Sequence, residues 1–132
     1  MNQESLLIYG ANEAGENFIR TLQQHDTYFI ALAFNPVQQR RLLELGIQSI
    51  FFVENIDSPF LDSPISKAFI FEDDICQCCK VIEYVCKSIP QKKIYVITHD
   101  NRPMLMHIYK ELGAGFVIYT HSNDMAFLMT NN

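Results

Sequence analysis

The chain has 132 residues, of which 48% are hydrophobic and 19% charged, with a net charge of −5 and a pI ≈ 5.2. That length suits one ordinary domain and leaves no room for separate cofactor and substrate lobes, and the apolar content excludes an intrinsically disordered chain. The acidic balance removes the electrostatic basis for general DNA or RNA binding, so no nucleic-acid partner is expected.

The longest apolar run, residues 28–34, has seven residues, against the roughly 20 that span a bilayer, so direct membrane insertion is not expected. Met1-Asn2-Gln3-Glu4 is not a cationic leader. Three of the four cysteines crowd into Cys76-Gln77-Cys78-Cys79, a poor disulfide framework, which points to a reducing, cytoplasmic setting.

In chain order, Leu6-Leu7-Ile8-Tyr9 is a strand-like run ending at Gly10. Residues 15–24 read as a helix with Phe18, Ile19 and Leu22 on one face. Residues 28–34 form a second strand. Asn35-Pro36 then opens a helix with proline at its first position, carrying Val37, Arg41, Leu42 and Leu45, and Gly46 closes it. The third strand is 49–53 and the fourth 67–71. Between them, Ser-Pro pairs at 58–59 and 63–64 leave room for a helical turn or two around Phe60-Leu61. Asp73 and Asp74 supply carboxylates to the start of a helix over 75–88, which Pro90 stops. Residues 93–98 are a fifth strand, 102–112 a helix closed by Gly113, 115–119 a sixth strand, and 122–129 a short helical pattern.

Runs such as Leu-Leu-Ile-Tyr and Ile-Tyr-Val-Ile are continuously apolar rather than alternating. Both faces of such strands are buried, which happens when helices cover both sides of a parallel sheet. Repeated right-handed βαβ units then give a doubly wound, Rossmann-like sheet of about six strands, one domain over residues 1–132.

The first strand runs into Gly10-Ala11-Asn12-Glu13-Ala14-Gly15, the dinucleotide fingerprint G-x-G-x-x-G with Asn in the middle place and a strand before and a helix after it. Gly10 is expected to permit the tight turn and Gly15 the close approach of helix to sheet. Amides at the helix start would face a ligand phosphate. Asn12 tolerates left-handed backbone, but its side chain occupies space where a pyrophosphate passes, and Glu13 adds a negative charge beside it. The fingerprint's second half, an acid at the end of strand two that holds the ribose, is missing: the strand ends Ala33-Phe34-Asn35. Two readings stay open for each of these: Asn35 holds a sugar or caps the next helix, and Phe34 stacks on a base or belongs to the core.

Further polar groups stand where the other strands end: Glu54-Asn55, Glu72-Asp73-Asp74 and His99-Asp100-Asn101-Arg102. Ligands of doubly wound sheets lie along this edge, so Arg102 is a candidate for a phosphate and Glu72 or Asp73 for a ribose or cation. Helix capping explains Asp73, Asp74 and Asp100 about as well. On a helix, Ile75, Cys79, Ile82 and Cys86 share an apolar arc, which places Cys79 and Cys86 in the core and Cys76 and Cys78 at its flanks. The histidines (25, 99, 107, 121) are scattered and no second ligand pair faces the cysteines, so no metal site is expected. No G-x-S-x-G elbow or G-x-x-x-x-G-K-[ST] loop occurs. A phosphoacceptor receiver domain needs paired acids after strand one and a lysine after strand five; Gly10-Ala11-Asn12 and Thr98-His99-Asp100 stand there instead. No catalytic residues are assigned, and a non-enzyme is expected.

Several segments together resemble the nucleotide-binding domain of potassium-transport regulators, the TrkA-N or RCK N-terminal family. They are residues 6–15, the Asn35-Pro36 helix closing on Leu45-Gly46-Ile47, Asp57-Ser58-Pro59 after strand three, residues 69–74 before a long helix, and residues 110–118. The resemblance implies a cytoplasmic Rossmann domain that binds NAD(H) or an adenine nucleotide (ATP, ADP or AMP). It further implies pairing into a homodimer that gates a membrane potassium channel or transporter, so that the domain lies peripheral to the inner membrane through that partner. Carried over by position, Gly10, Ala11, Asn12, Glu13 and Gly15 form the phosphate loop. Residues 33–35 take the place of the ribose-binding acid, and Glu54 and Glu72 lie near the ligand. A second resemblance is to nucleotide-sugar dehydratases of the short-chain dehydrogenase type, through residues 8–15. Their Tyr-x-x-x-Lys is not met by Tyr84-Val85-Cys86-Lys87, where Ser88 stands in the lysine's place. A Rossmann scaffold that has lost its ligand and survives as a dimerisation module is the other alternative.

Overall fold

The computed structural model describes residues 5–60, 63–122 and 126–129. Six strands and four helices alternate: β1 Ser5–Gly10, α1 Glu13–Gln24, β2 Phe29–Ala33, α2 Pro36–Glu44, β3 Ile50–Phe52, β4 Ile65–Phe71, α3 Ile75–Cys86, β5 Ile94–Thr98, α4 Pro103–Leu112 and β6 Phe116–Tyr119. All pairings are parallel, in the order β3-β2-β1-β4-β5-β6. The doubly wound sheet expected from the sequence is present, and strand order reverses between β1 and β4.

The alternation of side chains along a strand divides the interior in two. Leu7 and Tyr9 of β1 face the layer of α3 and α4, with Val81, Ile82, Val85 and Tyr109. Ile8 between them faces α1 and α2, with Phe18, Ile19, Leu22 and Leu42. Each buried Leu, Ile or Phe side chain contributes about 2 kcal/mol of hydrophobic stabilisation.

Side-chain caps set the helix starts. Asn12 accepts from the Gly15 amide at 2.8 Å, so α1 begins at Glu13, earlier than the apolar period indicates. Asn35 accepts from Gln38 N at 2.8 Å and Asp74 from Gln77 N at 2.9 Å. These caps satisfy amides that a helix cannot satisfy internally. Gly46, at φ 81°, ends α2 as anticipated. Val37 is not a core residue: on the outer side of α2 it is 72% exposed, and among that helix's residues Leu42 is the buried one.

The cysteine assignment needs correction. In α3 the buried residues are Cys78, Val81, Ile82, Tyr84 and Val85, while Cys79 and Cys86 are only partly buried. The apolar arc of α3 is broad enough for either phase. Packing on the sheet selects the one that turns Cys78 inward and leaves Ile75 39% exposed. Residues 53–60 form turns rather than helix; the remainder of the helical turn expected around Phe60-Leu61 lies outside the described residues. Of the pattern expected over 122–129, the described part is one 3-10 turn, Ala126–Met129, and residues 123–125 lie outside the description.

Candidate functional site

The turn leaving β1 is built on backbone contact. A Cβ on Gly15 would stand 2.3 Å from the Gly10 Cα, and one on Gly10 would stand 3.0 Å from the Gly15 backbone. Neither glycine is among the positive-φ residues, which for glycine are Gly46 and Gly113 among the described residues. The tight turn expected at Gly10 thus rests on the missing side chain rather than on left-handed backbone, and both glycines serve the close approach of α1 to β1.

Asn12 is extended, at φ −121° and ψ 179°, and makes no use of left-handed backbone. Its two side-chain arms are both occupied. Oδ1 accepts from Gly15 N at 2.8 Å, and Nδ2 donates to the main-chain oxygen of Glu72 at 2.7 Å. Glu13 is exposed beside it, and Ala11 is half-buried.

Glu72 follows the last paired residue of β4 and is half-buried. Its carboxylate accepts from Thr98 Oγ1 at 2.8 Å and from the Tyr109 hydroxyl. Burial raises the Tyr109 phenol far above its ordinary value, and its bond to Glu72 adds to the shift. Glu72 thus directs its acid toward α4 and β5, while its main-chain oxygen is held by Asn12. Arg102, expected to meet a phosphate, instead embraces its neighbour Asp100, donating from Nε to both carboxylate oxygens at 2.8 Å; the pair holds the Asp100 carboxyl below the usual range.

At the end of β2, Ala33 is fully buried. Asn35 takes the capping role of its two alternatives. Phe34 packs edge-on against Tyr9 and Tyr84, with ring centroids 5.6 and 5.8 Å away, so it belongs to an aromatic run at the rim of the core. Gln38, which the sequence did not mark, locks this corner: it accepts from Phe34 N at 2.8 Å and donates to Tyr9 Oη at 2.9 Å. Burial pushes the Tyr9 phenol up to about 12.

Two cavities open beside these residues. One, of about 140 Å³, is lined by Gly10, Ala11, Leu32, Val37, Gln38 and the Glu16–Arg41 pair. Arg41 grips the Glu16 carboxylate with Nε and Nη2, both at 2.8 Å, and this hydrogen-bonded cation holds the acid below its usual range. The other, of about 450 Å³, is lined by Phe34, Val53, Glu54, Asn55, Gln77 and Lys80 among others. Gly10 and Ala11 therefore border the smaller cavity and Phe34 and Glu54 the larger, which α3 also lines, whereas Glu72 and Arg102 face their own partners.

The described residues contain no group of three or more His, Cys, Asp or Glu placed to hold a metal, and no described helix is long and apolar enough to cross a membrane. Tyr84, weighed above as a catalytic tyrosine, is 2% exposed and donates to Pro59 O at 2.9 Å. Signals for Gln38, Glu16, Arg41, Thr98 and Tyr109 were absent from the sequence, because the partner of each lies on another element.

No family model and no curated protein matches the chain. Solved structures do match it. The NAD(P)-binding domain of an exopolyphosphatase-related protein from Archaeoglobus fulgidus aligns with a TM-score of 0.67 at 18% identity, covering 97% of this chain and 96% of that one. The GsuK channel bound to NAD aligns at 0.62 and 20% identity over 89% of this chain, which spans 21% of the channel polypeptide. The TrkA-N domain of the inner membrane protein ybaL from Escherichia coli aligns at 0.61 and 12% identity, covering 98% and 96%. The chain has the Rossmann-like fold of TrkA-N and RCK domains.

Proposed function

We propose that this chain is a regulatory domain that binds a nucleotide, NAD(H) or an adenine nucleotide, at the edge where β1 turns into α1, and that it senses the ligand without transforming it. The observation that carries the reading is the cavity lined by Gly10, Ala11 and Gln38 beside the Gly10–Gly15 turn, with a second cavity bordered by Phe34 at the end of the next strand. In open α/β sheets ligands lie at this edge, near the switch in strand order. The shared fold of an NAD-bound channel and of a TrkA-N domain from an inner membrane protein supports the same reading.

In this proposal two copies pair, and the pair acts on a membrane potassium channel or transporter from the cytoplasmic side. A ligand shifts such an assembly only by the difference in its affinity for the two arrangements. A second reading, a scaffold that has lost its ligand and pairs without it, draws on one specific observation: Asn12 Oδ1 already occupies the Gly15 amide.

Thermal-shift measurements with NADH, NADPH, ATP, ADP and AMP separate the two. At least one ligand is expected to raise the melting temperature and to move the backbone amide resonances of residues 10–15. A flat response to the whole panel at millimolar concentration would overturn the nucleotide reading in favour of the empty scaffold.

A further inference from the structure

Gly10 and Phe71 are register partners at the paired ends of β1 and β4, and these are the strands between which the order reverses. Asn12 and Glu72 stand just beyond that last rung. The 2.7 Å bond from Asn12 Nδ2 to Glu72 O therefore crosses the switch point itself, and its other arm is held by the start of α1 at 2.8 Å. A dinucleotide lies across such a crevice, one nucleoside on each half, with its pyrophosphate passing close to the backbone where a glycine usually stands. The side chain of Asn12 occupies that passage.

The two halves of the edge differ accordingly. On the β1–β2–β3 side lies the cavity of about 140 Å³ that includes Ala11 and Gln38, and the one of about 450 Å³ lies between the ends of β2 and β3, with Phe34 and Glu54, and α3, with Gln77 and Lys80. Beyond the bridge, the polar groups at the ends of β4 and β5 are bonded to one another: Glu72 to Thr98 and Tyr109, Asp100 to Arg102. Building on the nucleotide reading above, we infer that Asn12 selects ligand class. The bridge admits one nucleoside with its phosphates, seated on the β1–β3 half, and excludes a dinucleotide, which would have to break both arms.

Isothermal titration calorimetry of the full chain with ADP, AMP and NAD⁺ tests this on the wild type, Asn12→Gly and Asn12→Ser. Glycine is a tolerable N-cap, and serine keeps a cap oxygen for Gly15 but has no second arm for Glu72. The wild type should bind ADP or AMP at least about tenfold more tightly than NAD⁺, the scale set by losing hydrogen bonds of this kind. Both variants should narrow that ratio by gaining NAD⁺ affinity. If the wild type binds NAD⁺ as tightly as ADP, or if a variant that melts cooperatively leaves the ratio unchanged, the bridge does not select and nucleotide binding stands without it. If no protein of the three binds any of these ligands, the nucleotide reading fails and takes this inference with it.

Discussion

Gly15 lies against Gly10 with no space for a methyl group between them: a Cβ on Gly15 would approach the Gly10 Cα to 2.3 Å and its carbonyl carbon to 2.8 Å. The atoms it would strike belong to backbone in the central strand, which cannot rotate aside. This contact sets how near the start of α1 comes to the sheet edge, and so where the first-turn amides stand relative to the crevice.

Gly15→Ala should therefore destabilise the domain by about 3 kcal/mol, the upper range for overpacking. Gly46→Ala provides the contrast. Nothing lies within 4 Å of a Cβ there, and only the left-handed φ of 81° opposes it, at about 1 kcal/mol. Urea unfolding of both variants measures the difference; equal costs would mean that the Gly10–Gly15 contact is not as tight as described.

Stability should fall in alkali. Burial pushes Cys78 from 9.0 and Tyr9 from 10.0 up to about 12, and raises Tyr109 further. All three are neutral when protonated, so above pH 9.0 the unfolded chain releases protons that the folded one retains, and the free energy of unfolding falls as pH rises. The contribution is complete below pH 9.0 and is lost progressively toward about 12. Melting temperature followed across this window should decline, with a later onset in Cys78→Ala. A profile that stays flat to about pH 11 would contradict this assignment.

The thiols should separate by accessibility. Cys76 is exposed on the first turn of α3, whereas Cys78 is 0% exposed under the α3–α4 layer. Alkylation followed by peptide mass spectrometry should find Cys76 modified first and Cys78 last, at the rate of structural opening. Cys76→Ser should remove the fastest phase, and early labelling of Cys78 would place α3 in the other phase.

Much of this architecture could be read along the chain. The continuously apolar strands implied a sheet covered on both faces, and that sheet is present. Asn35 before Pro36 and Asp74 before Ile75 implied caps, and both side chains hold amides three residues on. The cysteines were misplaced because Cys78, Cys79, Ile82 and Val85 form a broad apolar surface on α3, and periodicity alone does not say which line of it meets the sheet. Arg102 reads as a phosphate candidate along the chain, and in the fold its guanidinium is met by Asp100, two residues away.

Sequence alone determined what depends on neighbours within a turn or two: strand against helix, caps, the glycine turn, and burial on both sides of the sheet. Tertiary structure decided where the polar side chains at the carboxyl edge point. Asn12 meets Glu72 across 60 positions, Gln38 meets Tyr9 across 29, and Arg41 meets Glu16 across 25. Strand order is what brings β4 beside β1 and α2 beside α1. Hydrogen-bonding groups at a half-buried edge take the partner that geometry supplies, and no local pattern encodes a partner that far away.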